Sequence, residues 1–190
     1  MRYTLRFITL VVAALALAAP AAAQTREGLM GDLIKDVSDL EKKVVGLAKA
    51  MPEAAWAWRP GDGVRSTSEV FMHIAADNYF LPALMGTATP AETGITKEYK
   101  TAAAFEKKSM GRDAVIAELE KSFAFLRNAM NATPDDKLNE PLTIFGQKNT
   151  NRGLWVMTAT HLHEHLGQLI AYARSNKVVQ IGRASCRERV

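Results

Sequence analysis

Three of the four histidines in this 190-residue chain, His73, His161 and His165, stand at positions where they can do chemistry together. His161 and His165 fall in the run Thr160-His161-Leu162-His163-Glu164-His165-Leu166-Gly167-Gln168-Leu169. They are four residues apart, so on a helix both imidazoles stand on one face, one turn from each other. Neutral imidazole offers a lone pair to zinc, nickel, copper or iron. A third ring from another helix would complete a three-histidine site with positions left open for water or substrate. A lone inward histidine is ordinarily a hydrogen-bonded core residue, but burying two imidazoles side by side without a partner is costly. His163 lies about 200° round the helix from its two neighbours and is expected on the surface or behind the ligands. Glu164 is also off that face, with a carboxylate that could orient an imidazole from a neighbouring turn. The run is not the His-Glu-x-x-His pattern of zinc proteases, because residue 162 is leucine. No glycine-rich phosphate loop and no serine-triad signature occurs either.

The elements that must carry these rings read as helices. Leu29, Leu33, Leu40, Val44 and Leu47 mark a first helix that ends before Pro52. A second follows Gly61-Asp62-Gly63, with Ser66 or Thr67 as its cap and Glu69 as the capping-box partner of Ser66. It runs through Val70, His73, Asp77, Leu81 and Leu84 to Gly86. Val115, Leu119, Phe123, Leu126 and Met130 mark a third, bounded by Asp113 and Pro134. The fourth begins near Thr150 or Asn151 and carries Leu154, Met157, His161, His165, Gln168 and Tyr172 on one face. Pro141 to Phe145 is the only short strand candidate, and it is read as loop. The expected fold class is all-α, a four-helix bundle, since four amphipathic helices cover their apolar stripes by packing together. Gly86 to about Thr101 is long enough to cross the length of a helix. His73 shares the inward face of the second helix with Val70 and Asp77, so all three rings are expected inside the bundle. Asp77, one turn along from His73, is the candidate catalytic carboxylate: an extra ligand, a general base, or a hydrogen-bond acceptor behind a ligand. Asn78, Tyr79 and Trp155 either shape a pocket there or serve as ordinary packing.

The two ends read differently from the middle. Arg2 and Arg6 precede an apolar run from Ile8 to Ala19, followed by Pro20 and Ala21-Ala22-Ala23, the pattern of a secretory signal peptide over residues 1–23. Cleavage would leave Gln24 first and place the protein in the periplasm or outside the cell. Ile181 to Val190 looks like the in-frame translation of a sequencing adapter, which implies a native C-terminus lost beyond about residue 180. The whole chain carries a net charge of +4. Arg2 and Arg6 supply two of these charges, and Arg183, Arg187 and Arg189 against Glu188 supply the other two. The core from Gln24 to Gln180 is therefore neutral, which argues against nucleic-acid binding. The one cysteine, Cys186, lies in the suspect tail, so the core has no thiol for a disulfide, a nucleophile or a metal ligand.

At these residues the chain resembles the DinB-like superfamily. The resemblance rests on Trp58-Arg59-Pro60-Gly61 with Ser66, on Glu69-Val70-Phe71-Met72-His73-Ile74-Ala75, and on His161-x-x-x-His165-Leu166-Gly167-Gln168-Leu169 followed by Tyr172-Ala173-Arg174. It covers most of Gln24 to Gln180. It implies a four-helix bundle, commonly with an up-down-down-up path, and a divalent metal (zinc, nickel or iron) held by His73, His161 and His165. Some members of the family transfer or isomerise low-molecular-weight thiols. Leu166 stands where arginine is frequent, which weighs against that role, as does export. Two function classes stay open: a metal-dependent hydrolase or thiol S-transferase, and a non-catalytic metal-binding or interaction bundle. The expected partners are a small-molecule substrate and a second copy of the chain, with no nucleic acid and, once the leader is cleaved, no membrane.

Overall fold

A computed structural model describes residues 26–178. The leader and the adapter-like tail both lie outside them. Four long helices form the body: α1 (Gly28–Ala50), α2 (Thr67–Leu84), α4 (Arg112–Ala132) and α5 (Asn151–Ser175). A short helix α3 (Tyr99–Glu106) and a hairpin of β1 (Pro141–Ile144) and β2 (Gln147–Thr150) lie in the connections. None of these helices is long and apolar enough to cross a membrane.

The helix starts follow from local chemistry. Ser66 caps α2, its hydroxyl accepting from the Glu69 backbone N–H while the Glu69 carboxylate accepts from the Ser66 N–H. The Trp58–Gly61 motif braces the same end. The Trp58 carbonyl accepts the Thr67 N–H at 3.0 Å, and the Arg59 guanidinium donates to the Val64 carbonyl at 2.7 Å and pairs with Glu69 at 3.1 Å. Thr150 caps α5 by accepting from the Gly153 N–H.

Each long helix packs on two others in the order α1, α4, α2, α5 and back to α1. Side-chain pairs give the directions. Lys49 meets Glu120 and Glu41 meets Arg127, so α1 and α4 are antiparallel. Asp77 meets His161 while Arg65, just before α2, accepts from Tyr172, so α2 and α5 are antiparallel. Met72 and Val115 line one cleft, Asn78 bonds Ser122, and Met85 and Ala129 line a second cleft, so α2 and α4 run parallel. The path is up-down-down-up, and the parallel pair requires the long crossover between Leu84 and Arg112.

That crossover differs from the sequence reading, which left it without structure. It folds into α3, which packs against α2. Covered by α3, α4 and α5, helix α2 is buried on nearly every side, from Val70 and Phe71 round to Phe80 and Leu81. Its apolar composition has this cause: a helix hydrophobic all round is one with neighbours all round. In α1 the inward stripe begins at Met30, which is buried, while Leu29 faces solvent at 41% exposure.

The second correction is Pro141–Phe145, read as loop: Pro141–Ile144 pairs with Gln147–Thr150, and Phe145 opens the turn between them. The two-residue turn Phe145-Gly146 has φ of 49° and 80°, the primed geometry that suits hairpin twist. Asn-Gly or Asp-Gly is the usual signal for such a turn, and a phenylalanine at its first position hides it.

Candidate metal centre

The antiparallel packing of α2 on α5 brings His73 against His161 and His165. Ring centroids are 5.2 Å apart for His73 and His161, 4.6 Å for His73 and His165, and 4.4 Å for His161 and His165. The rings stand edge to face, with interplanar angles between 76° and 83°. One nitrogen from each ring can be chosen so that all three lie within 4.8 Å of one another. His73 is buried and the other two are half-buried. Among the described residues this is the group of histidine or carboxylate side chains close enough to hold one ion.

The outer nitrogens of two of the rings are held by protein groups. His73 Nδ1 lies 3.0 Å from Glu106 Oε2 on α3. An ionised carboxylate only accepts, so Nδ1 donates to it and Nε2 is the nitrogen turned toward the other two rings. Arg65 pairs with the same carboxylate. Burial raises the cost of charging Glu106, but hydrogen bonds from His73 and Arg65 outweigh it and hold the carboxyl at about 2. His165 is fixed by a longer relay. The Tyr172 hydroxyl donates to the Arg65 carbonyl at 3.1 Å and so accepts from Gln168 Nε2 at 2.8 Å. That turns Gln168 Oε1 toward His165 Nδ1, 2.9 Å away, which must donate. The relay therefore sets the tautomer of His165 from a backbone carbonyl some distance away. Burial pushes His165 down to about 4, against the Gln168 hydrogen bond, so the ring is neutral near pH 7.

The third ring is different. His161 Nε2 is buried and has no hydrogen-bond partner. Asp77 Oδ2 lies 2.8 Å from it and 3.4 Å from His73 Nε2, close to both nitrogens but out of line for a hydrogen bond to His161. A buried polar atom without a partner costs about 1–3 kcal/mol. Two rings oriented by their far nitrogens and a third whose buried nitrogen meets only a misaligned carboxylate fit a divalent ion of the imidazole-binding kind.

Other residues singled out in the sequence fall elsewhere. His163 points away and meets Asp36 on α1 at 2.9 Å, in the open. Glu164 is exposed, and Gln168 does the orienting considered for it. Asn78 and Tyr79 face α4, bonded to Ser122 and Glu118, and Trp155 is wholly buried in the core. These three are packing residues. The sequence reading missed Glu106, Arg65 and the role of Gln168. Gln168 was within reach, three residues after His165 on one helical face. Glu106 had no signal, because it sits on a two-turn helix and meets His73 across 33 residues.

A sequence model of the DinB superfamily matches residues 37–169, which include all three histidines. The chain belongs to the DinB superfamily. Two solved structures share the DinB-like fold at low sequence identity. A DinB-like protein from Bacillus subtilis is 15% identical, with a TM-score of 0.60 over 79% of this chain and 94% of that one. A DinB-like protein from Bacillus cereus is also 15% identical, with a TM-score of 0.60 over 78% of this chain and 93% of that one. No curated protein matches the sequence. The family and these neighbours agree with the up-down-down-up DinB bundle described above.

Proposed function

We propose that this DinB-superfamily chain is a divalent-metal enzyme of the hydrolase or thiol-transfer kind, with His73, His161 and His165 as ligands. The observation that carries the reading is the buried His161 Nε2, without an aligned hydrogen bond, beside two rings whose other nitrogens are already bonded. A divalent ion held there would lower the pKa of a bound water or thiol toward neutrality. Asp77 is assigned the role of general base, because its Oδ2 sits beside two of the ligand nitrogens and can take the proton released there. Glu106 and Gln168 hold the rings in place and take no proton. The leader pattern of residues 1–23 supports action outside the cytoplasm, and cell fractionation of the full-length protein tests that part.

The functional test compares metal-stripped and reloaded protein on hydrolysis and thiol-transfer panels, with metal content measured in parallel. Turnover that disappears with the metal and returns with it supports the enzyme. In Asp77→Asn, metal should remain while turnover falls roughly 10²- to 10⁴-fold, the usual contribution of a general base. A rise in melting temperature on loading, with no turnover on either panel, would favour the non-catalytic bundle instead.

A further inference from the structure

On the Asp77 side of the three rings a cavity of about 150 Å³ opens to solvent. Its floor is Asp77 and His161. Its walls are Phe80 and Leu81 of α2, Met157 of α5, Tyr99 at the start of α3, and Phe145 at the hairpin tip. We propose that this vestibule takes an uncharged aryl group of the ligand that reaches the histidine site, with Tyr99 and Phe145 as specificity-determining walls. The proposal rests on the reading of that site as the functional centre.

Four features lead to this assignment. First, apart from the floor, every wall is apolar or aromatic, and no lysine or arginine lines the cavity, so the walls offer a charged group nothing to pair with. The basic residues gather instead in a separate cleft beyond Glu106, with Arg59, Arg65, Lys107 and Lys108. Second, an apolar cavity of about 150 Å³ is the size that holds a benzene ring. Third, Tyr99 and Phe145 are the most exposed large apolar side chains among the described residues, at 55% and 65%. Their rings lie 6.5 Å apart, and each reaches Phe80, at 6.0 and 6.3 Å. Nothing in the bundle requires them at the mouth, whereas an aryl guest would find edge and face contacts there. Fourth, Phe145 holds a left-handed backbone (φ 49°) at a turn position that asparagine or glycine would fill without strain. A bulky side chain kept where it costs backbone energy is the pattern found at ligand-contacting sites.

The test uses full-length, metal-loaded protein and 4-fluorobenzyl alcohol as probe, followed by fluorine NMR. Saturable binding is expected, weakened roughly tenfold in Tyr99→Ala and in Phe145→Asn, as loss of one aromatic contact would produce. Phe145→Asn also suits the turn, so the hairpin should survive, with the helical circular dichroism signal and melting temperature retained while the affinity falls. A merely structural role for Phe145 would not separate those readouts. Metal content is measured on each sample, and the titration is repeated on stripped protein. Metal loss with aryl binding intact would count against the metal reading and leave the aryl site standing. Absence of saturable binding, or affinity unchanged in both variants, would overturn the proposal.

Discussion

The two sides of the histidine trio are built on opposite principles. On the Arg65 side, the groups that orient the rings are themselves held by hydrogen bonds. Glu106 takes His73 Nδ1 and the Arg65 guanidinium, and the Arg65 carbonyl sets the direction of the Tyr172–Gln168–His165 relay. On the Asp77 side, His161 Nε2 has no hydrogen bond, Asp77 is close but misaligned, and the walls are aromatic and partly exposed. The first side pre-organises, and the second leaves room and reactivity. The contrast follows from the crossover. The C-terminal end of α3 delivers Glu106 to one side, while its N-terminal end delivers Tyr99 to the other.

The largest expected effect breaks the trio itself. His73→Ala, His161→Ala and His165→Ala should each abolish stoichiometric metal by elemental analysis, whereas His163→Ala, paired with Asp36 in the open, should retain it. Equal loss in all four would mean that the ion, if any, is not held by an inward face.

Next come the committed groups. Glu106→Ala and Gln168→Ala should each lower metal affinity about 10- to 100-fold, as removal of a group that orients a ligand imidazole does. Competition with a chromogenic chelator measures this. Tyr99→Ala and Phe145→Asn on the opposite side should leave the affinity unchanged. If the wall variants weaken metal as much as the relay variants do, the division of labour between the two sides is wrong.

A smaller effect concerns acid stability. The Glu106 carboxyl is depressed from an ordinary 4.5 to about 2, so the folded state favours its charged form more than the unfolded chain does. The stabilisation is fully present above about 4.5 and is lost as pH falls toward 2. Metal-free Glu106→Gln should therefore show a flatter fall in melting temperature across that window than metal-free wild type. An identical acid limb would mean that the ion pair contributes nothing. The smallest effect is at the start of α2: Ser66→Ala should cost about 1 kcal/mol in denaturant unfolding, the usual value of such a cap. A change of the order of a core truncation would show that Ser66 does more than cap.

Much of this molecule was legible in the sequence, and the illegible parts share a cause. The four long helices announced themselves through apolar spacing and caps, with Ser66–Glu69 and Thr150 falling where the structure has them. The two rings of α5 were readable because a four-residue spacing is local. His73 came from its place on an inward face and from the family resemblance. Helix α3 and the hairpin were not readable. α3 is two turns long and gains its stability from packing on α2, and Phe145-Gly146 lacks the residues that usually signal a turn. Glu106, Tyr99 and Phe145 all lie on these two elements. The groups that orient His73 and wall the vestibule were therefore hidden with the elements that carry them, and only tertiary contact reveals them.

The most direct test is a crystal of the metal-loaded full-length protein with data collected at the metal absorption edge. The account predicts one strong anomalous peak about 2.0–2.1 Å from a nitrogen of each of His73, His161 and His165, the usual zinc–imidazole distance. A loaded crystal with its peak on other residues, or with the three rings free of any peak, would contradict it.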